Sequence, residues 1–277
     1  MTKVAVVQMR SGIDPVANAA ELVRALEAAA AGGARLAFTP EMSGLLDRDR
    51  ARAAASIVGE NADVVLAAVR DAAARLGLWV HLGSLALRPG GDEPRYVNRG
   101  FLIDATGAIR ARYDKIHLFD VDLPTGESWR ESAAYAPGSH VVLAETPAGR
   151  LGLSICYDLR FPDLYRTLSN AGAAILAVPA AFTVPTGRAH WHVLLRARAI
   201  EAGCYVAAAG QVGRHEDGRE TFGHSLVVDP WGEVLLDMGE APGVGFAEID
   251  PARIADVRSR IPAISHRRPV PAAELAG

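Results

Sequence analysis

The sequence predicts one α/β domain with mixed sheets, and three observations carry that prediction. Short apolar runs of strand length alternate with longer segments of helical period. Turn signals rich in Gly, Pro and Asp join several neighbouring strand runs into hairpins. No repeat of solenoid period occurs, and no Gly-rich phosphate cradle of the P-loop or dinucleotide type. Alternating strands and helices with interspersed hairpins imply a layered architecture.

Composition agrees. Half of the 277 residues are apolar and 22% are charged, as in a soluble globular chain with a sizeable core. A net charge of −3 supplies no basic field for nucleic acid or an anionic membrane. No apolar run approaches the ~20 residues of a membrane helix, and Met1-Thr-Lys leads straight into a strand, unlike a signal peptide. Two cysteines, Cys156 and Cys204, cannot form a disulfide framework, so a reducing cytoplasm is the expected location.

In chain order, Val4-Ala-Val-Val-Gln8 reads as a buried strand, and Asp14 to Ala31 as a helix stopped by Gly32-Gly33. Leu36-Ala-Phe38 is the next strand. Ala62 to Leu76 read as a helix and Trp79 to Leu87 as a strand, followed by a polar loop over 88–94. Tyr96 to Ile103 and Ile109 to Tyr113 form a hairpin closed by Asp104-Ala-Thr-Gly107. His117 to Gly138 has no clear period; a loop this long is functional or disordered, and its Asp120, Asp122, Glu127, Trp129 and Glu131 suit a site wall. Arg150 to Ile155 read as a strand, and Phe161-Pro162-Asp163 open a helix. Ala173 to Val178 form a buried strand, 180–187 a loop, His190 to Ala202 a helix ended by Gly203, and Cys204 to Gly210 a strand. Gly223 to Asp229 and Glu233 to Leu236 make a hairpin around Pro230-Trp-Gly232. Val244 to Ile249 close the strand set, and a helix runs from Pro251 to about Arg260. The domain is thus 1–261, and 262–277 is an irregular tail placed to reach another subunit.

Three residues at strand ends stand out. Glu41 ends Leu36-Ala-Phe-Thr-Pro-Glu-Met42, Lys115 lies in Arg112-Tyr-Asp-Lys-Ile-His-Leu-Phe119, and Cys156 follows Arg150-Leu-Gly-Leu-Ser-Ile155. A carboxylate, an ammonium and a thiol so placed can serve as base, electrophile and nucleophile. Backbone N–H groups converge at the Cys156 turn, where a thiol's pKa can fall. The plainer readings are a buried structural cysteine and a capping carboxylate. His190, Trp191 and His192 do not make a metal face, because adjacent helical residues diverge by about 100°; no metal site is expected. Arg196, Arg198 and Glu201 read as a salt-linked helix face, His224 as a holder of backbone carbonyls, and Cys204 as an inert core thiol. A papain-like pairing of Cys156 with His190, His192 or His224 lacks the sequence signature such enzymes carry.

From Val4 to about Ile261 the chain resembles the nitrilase (carbon–nitrogen hydrolase) superfamily, whose Glu-Lys-Cys triad occurs in this order and in these contexts. The resemblance implies a four-layer α-β-β-α sandwich that pairs with a second copy through helices, and needs no cofactor. It implies that Glu41 is the base, Cys156 a nucleophile that forms a thioester, and Lys115 with the Tyr157 N–H the oxyanion donors. A second glutamate follows the lysine in the family pattern; Glu131-Ser132, ahead of Pro137-Gly138, fits it, and Glu127-Ser128 is a nearby decoy. An idle member acting as a binding scaffold would have lost a triad position, and none is lost.

Tyr157-Asp-Leu-Arg-Phe-Pro162, Ala189-His-Trp191, Arg196-Ala-Arg-Ala-Ile-Glu201, Gly223-His-Ser225 and Asp229-Pro-Trp-Gly232 look most like the deaminated glutathione amidases and, close behind, the omega-amidases that take α-ketoglutaramate or α-ketosuccinamate. Nitrilases and carbamoylases fit less well. Arg160, four residues past Cys156, is expected to grip a substrate carboxylate unless it pairs with Asp158 or Asp163. Phe182 and Thr186 are expected to add an apolar wall and a hydroxyl. The expected reaction hydrolyses the terminal amide of a small carboxylate-bearing substrate to acid and ammonia.

Overall fold

The computed structural model describes residues 1–122, 126 and 128–275. Two six-stranded mixed sheets stack face to face. The first runs β16-β1-β2-β3-β4-β5, with β1 Thr2–Gln8, β2 Leu36–Phe38, β3 Trp79–Leu87, β4 Val97–Ile103, β5 Ile109–Asp114 and β16 Gly243–Ile249. The second runs β15-β14-β11-β10-β9-β8, with β8 Leu143–Ala144, β9 Leu151–Leu153, β10 Ile175–Ala177, β11 Tyr205–Ala208, β14 Leu226–Val228 and β15 Val234–Asp237.

Strand alternation builds the layers. Successive side chains of a strand point to opposite faces. Val4, Val6, Leu36, Phe38 and Leu102 therefore face the second sheet, while Ala5, Val7, Ala37, Val80 and Phe101 face two outer helices. Those helices, α1 (Pro15–Ala31) and α3 (Val64–Leu76), pack on each other. Asp14 caps α1 by accepting the Val16 N–H, and Leu22, Leu26 and Ala29 form its buried stripe. Asp63 caps α3, which ends at Gly77 in the left-handed conformation. On the far side of the second sheet lie α4 (Pro162–Asn170) and α5 (Val184–Ala202), with Leu164, Leu168, Leu195 and Ala199 turned inward. The four layers expected from the resemblance are the layers observed.

Several boundaries differ from expectation. Helix α5 starts at Val184, not His190, because Pro185 occupies its first turn where no N–H is needed. The aperiodic stretch after His117 holds a hairpin, β6 (Asp120–Asp122) with β7 (Ser128–Arg130), then a 3-10 turn over Glu131–Ala133. A short helix, α2 (Arg50–Ser56), and a hairpin, β12 (Val212–Arg214) with β13 (Glu220–Phe222), have no counterpart in the sequence reading. Helix α6 spans Pro251–Arg260 as expected. In the tail, Arg267 turns back onto its own chain, donating to Asn170 Oδ1 (2.5 Å), Ser169 Oγ (2.9 Å) and the Glu201 carbonyl (3.0 Å). No helix among the described residues is long and apolar enough to cross a membrane.

Candidate active site

Glu41, Lys115 and Cys156 follow the C-terminal ends of β2, β5 and β9, and the stacking of the sheets brings those ends together. Glu41 is carried over β3 by Thr39 and Pro40. Gly83 of β3 makes room, since any side chain there would strike the Thr39 and Pro40 carbonyls. Thr39 Oγ1 accepts the Gly83 N–H (3.0 Å), and the Met42 N–H reaches Ser84 Oγ (3.0 Å). Met42 takes φ 53°, and Cys156 takes φ 50°. Left-handed backbone costs a non-glycine residue about 1–2 kcal/mol, so both bends of the site are held by their surroundings.

The cysteine turn is a 3-10 helix over Cys156–Arg160. Asp158, wholly buried, fixes it: the carboxylate accepts the Ile155 N–H (2.9 Å), the Tyr113 hydroxyl (2.7 Å) and the His117 N–H (3.0 Å). Cys156 and Lys115 are thereby tied to one anchor, because Tyr113 and His117 flank Lys115. The Cys156 N–H donates to the Pro179 carbonyl (2.8 Å). The Tyr157 N–H has no acceptor among the described residues.

Four functional groups converge. Lys115 Nζ lies 2.9 Å from Glu41 Oε1, 2.9 Å from Glu131 Oε2 and 3.1 Å from Glu131 Oε1. Asn98 Nδ2 spans both carboxylates, at 2.9 Å from Glu41 and 3.2 Å from Glu131. Glu41 Oε2 accepts the Ala181 N–H (2.9 Å), and Glu131 Oε2 accepts the Phe119 N–H (2.6 Å). Exposure is 4% for Glu41, 2% for Lys115 and 8% for Cys156.

Charge follows from these contacts. Burial would raise the pKa of Glu41, but the Lys115 ammonium and the donors around it hold the carboxyl below its usual range. Burial likewise opposes the Lys115 charge, yet Glu131 and Glu41 together push its pKa well above that of a free lysine. Burial and the Glu41 carboxylate push the Cys156 thiol well above the ordinary thiol value, against the pull of Lys115. This corrects the expectation that the turn would lower the thiol's pKa. At neutral pH the site holds an ionised Glu41, a charged Lys115 and a protonated thiol.

A cavity of about 630 Å³ opens in front of them, within the size range of sites that enclose drug-sized ligands. Glu41, Lys115, Glu131, Cys156, Tyr157, Phe182 and Thr186 all line it. Glu127 lies outside the described residues. Arg160 is not among the lining residues. Its guanidinium stands over the rings of Tyr157 (5.9 Å) and Phe182 (5.3 Å) and meets His190 Nδ1 at 3.2 Å, pairing with neither Asp158 nor Asp163. Thr186 Oγ1 shares a hydrogen bond with Thr183 Oγ1 (2.7 Å).

Sequence reasoning missed Asn98 and Asp158. A polar Asn beside Val97 in the strand Val97–Ile103 was a usable signal, since such a residue must find partners when buried. Other histidines and arginines differ in detail. Arg198 pairs with Glu201 (2.7 Å) as expected, but Arg196 donates to the Gly232 carbonyl instead (2.8 Å). His224 binds a carboxylate, Asp237 (2.8 Å), rather than backbone carbonyls, and His192 meets the same Asp237 at 3.0 Å. These three residues present metal-ligating atoms within 4.8 Å of one another, a grouping that helix spacing alone did not reveal. None of them lines the cavity. Cys204 is buried, with its thiol facing the carbonyls of Ala173 (3.0 Å) and Ala202 (3.1 Å).

Comparison with known proteins identifies the family. The carbon–nitrogen hydrolase family model matches residues 3–259. The human deaminated glutathione amidase is 43% identical over 96% of this chain and 82% of its own length. Its counterpart from Yersinia enterocolitica is 40% identical over 96% of this chain and 92% of its own. Among solved structures, Nit3 of Saccharomyces cerevisiae, a member of branch 10 of the nitrilase superfamily, superposes with a TM-score of 0.85 at 27% identity, covering 96% of each chain. The chain therefore belongs to the carbon–nitrogen hydrolase family, within the nitrilase superfamily, and is a hydrolase of carbon–nitrogen bonds.

Proposed function

We propose that the protein is an amidase of the deaminated glutathione type, acting through a Cys156 thioester. The observation that carries this reading is the ionised Glu41 held by Lys115 beside a protonated, buried thiol. A thiolate is the nucleophile, so such a thiol needs a base, and Glu41 is the base in place. As Glu41 takes the thiol proton, sulfur attacks the amide carbonyl. The oxyanion meets the Tyr157 N–H and one Nζ–H of Lys115, which is free if another bifurcates over the two Glu131 oxygens. Glu41 returns its proton to the leaving nitrogen and the C–N bond breaks. Water then gives a proton to Glu41 and attacks the thioester; the C–S bond breaks and the thiol is restored. The products are an acid and an amine, ammonia where the amide is primary. Glu131 and Asn98 keep Lys115 and Glu41 in register.

Substrate assignment rests on the names of relatives that match nearly the whole chain and on a cavity with room for more than a primary amide. A homodimer through α5 is also proposed, since Val193, Ile200 and Trp231 expose large apolar surface on and beside that helix. A cytoplasmic location fits the two free cysteines. The test is to mix the protein with deaminated glutathione, quench within milliseconds, and weigh it. An acyl adduct on the peptide carrying Cys156 is expected; turnover with no adduct there, and turnover surviving Cys156→Ala, would sink the reading.

A further inference from the structure

Five arginines line the cavity: Arg48, Arg50, Arg95, Arg130 and Arg219. Three are already engaged. Arg95 forms two bonds to Glu93 (2.9 and 3.0 Å), Arg130 two to Asp122 (both 2.9 Å), and Arg50 donates to the Arg130 carbonyl (2.6 Å). Arg48 and Arg219 differ. Among the described residues, no carbonyl or carboxylate accepts a hydrogen bond from either guanidinium. Arg219 Nε is buried without a partner, and its 3.4 Å approach to Asp217 falls outside hydrogen-bond geometry. Buried donors are nearly always satisfied, so a guanidinium left without an acceptor stands out. Arg219 also lines the cavity, where the accessible part of that guanidinium can meet an acceptor carried by the substrate.

The two guanidiniums are held together. Asp217, its side chain fully buried, accepts the backbone N–H groups of both Arg48 (2.8 Å) and Arg219 (2.9 Å). Both guanidiniums lie over the ring of Trp129, at 5.9 and 4.7 Å from its centre. Trp129 Nε1 is also buried without a partner. Burial and the nearby Arg48 charge lower the pKa of Arg219, with Asp217 opposing them; an anion between the arginines would relieve that repulsion. Trp129 stands two residues before Glu131, so this cluster and the Lys115 network share one segment.

We propose that Arg219, with Arg48 and Trp129, forms a carboxylate-binding subsite that takes the carboxylate at the far end of the substrate's amine portion. Arginine's planar fork suits a carboxylate, and Trp129 supplies the platform that orients it. In deaminated glutathione that group is the glycine carboxylate, remote from the amide cleaved. Asp217 is a positioning residue for the subsite. The inference deepens the amidase reading and rests on it for the choice of ligand.

The matched probes are deaminated glutathione and the same molecule with its glycine carboxylate converted to a carboxamide. Binding is measured by calorimetry on the full chain carrying Cys156→Ala, which separates it from turnover. The acid is expected to bind roughly 10- to 100-fold tighter than the carboxamide, the range for a charge-assisted hydrogen bond. Arg219→Gln should remove that preference, with binding of the carboxamide changed less than about threefold. In the catalytic protein the loss should appear in KM more than in kcat, because a remote anchor binds ground and transition states alike. Arg219→Lys should recover part of it. Equal affinity for the two probes overturns the subsite, as does a loss for both in Arg219→Gln. Discrimination in binding without turnover of either by the unsubstituted protein leaves the subsite standing and overturns the amidase reading instead.

Discussion

The chain has two cysteines, and both are buried with thiols of raised pKa. Cys204 sits among carbonyls and the Arg258 guanidinium (3.1 Å), its pKa pushed up to about 11 by burial. Cys156 sits beside Glu41 and Lys115 and lines the cavity. The difference lies in the surroundings rather than in the thiol. Carbonyls can accept a hydrogen bond from Cys204 but cannot keep its proton. Glu41 can keep one, and the space ahead of Cys156 admits a carbonyl carbon. On the proposed mechanism a nucleophile is specified by a base, an oxyanion donor and an opening; a lowered resting pKa is not required.

The largest effect should come from the thiol itself. Cys156→Ala is expected to abolish turnover, since losing the nucleophile of a catalytic unit costs up to roughly a millionfold in kcat. The far-ultraviolet circular dichroism should not change, because Asp158 still anchors the turn. Full activity in this variant would erase the distinction between the two cysteines.

Lys115→Met should come next. Removing the ammonium leaves Glu41 and Glu131 facing each other without a counter-ion, and a buried partner left behind costs about 3–5 kcal/mol of stability. The oxyanion also loses a donor worth about 10²–10³ in rate. We expect a lower Tm and no accumulated acyl-enzyme. An adduct that builds up in this variant would assign Lys115 to the second half of the reaction.

Glu131→Gln should slow the enzyme by about 100-fold, the scale for a misplaced catalytic group, and its pH profile is the sharper measurement. In the proposed mechanism Lys115 works as the ammonium, and of the two carboxylates that raise its pKa Glu131 has the larger effect. Activity that depends on the charged form is lost as pH rises through that pKa. Without the Glu131 charge the pKa falls, so the alkaline limb of kcat/KM should move to lower pH. An unmoved limb in a slowed variant would make Glu131 a purely structural residue.

Local signals served the sequence reading well and long-range ones did not. Glu41, Lys115 and Cys156 stood out because each follows the end of a strand, and α6 and β3 because pattern and turn residues agree. Asn98 and Asp158 act on partners far off in sequence, at separations of 57 residues (Asn98 to Glu41) and 45 (Tyr113 to Asp158). No local pattern encodes such distances. Sequence nearness is also a poor guide to position: Arg160, four residues from Cys156, stands over the Phe182 ring without lining the cavity, while Arg219, 63 positions from Cys156, lines it. The β6–β7 hairpin was missed because its strands, Asp-Val-Asp and Ser-Trp-Arg, are mostly polar and exposed, so no apolar run marks them.

The smallest effect should belong to Cys204. Its thiol lies between the Ala173 and Ala202 carbonyls, and Arg258 Nη2 approaches its sulfur while also donating to Ala173 (2.7 Å). In Cys204→Ala the Ala173 carbonyl keeps Arg258 as donor, so the losses are the Ala202 bond, the weak Arg258 contact to sulfur and one sulfur's packing. That amounts to about 1–2 kcal/mol, from one modest hydrogen bond and a small void. Turnover should stay within about twofold, because no residue touching Cys204 Sγ lines the cavity. Thermal unfolding and steady-state kinetics on the same sample test both halves. A loss of activity comparable to that of Cys156→Ala, with Tm unchanged, would mean that the two thiols are not separated by their surroundings and that the choice of nucleophile is wrong.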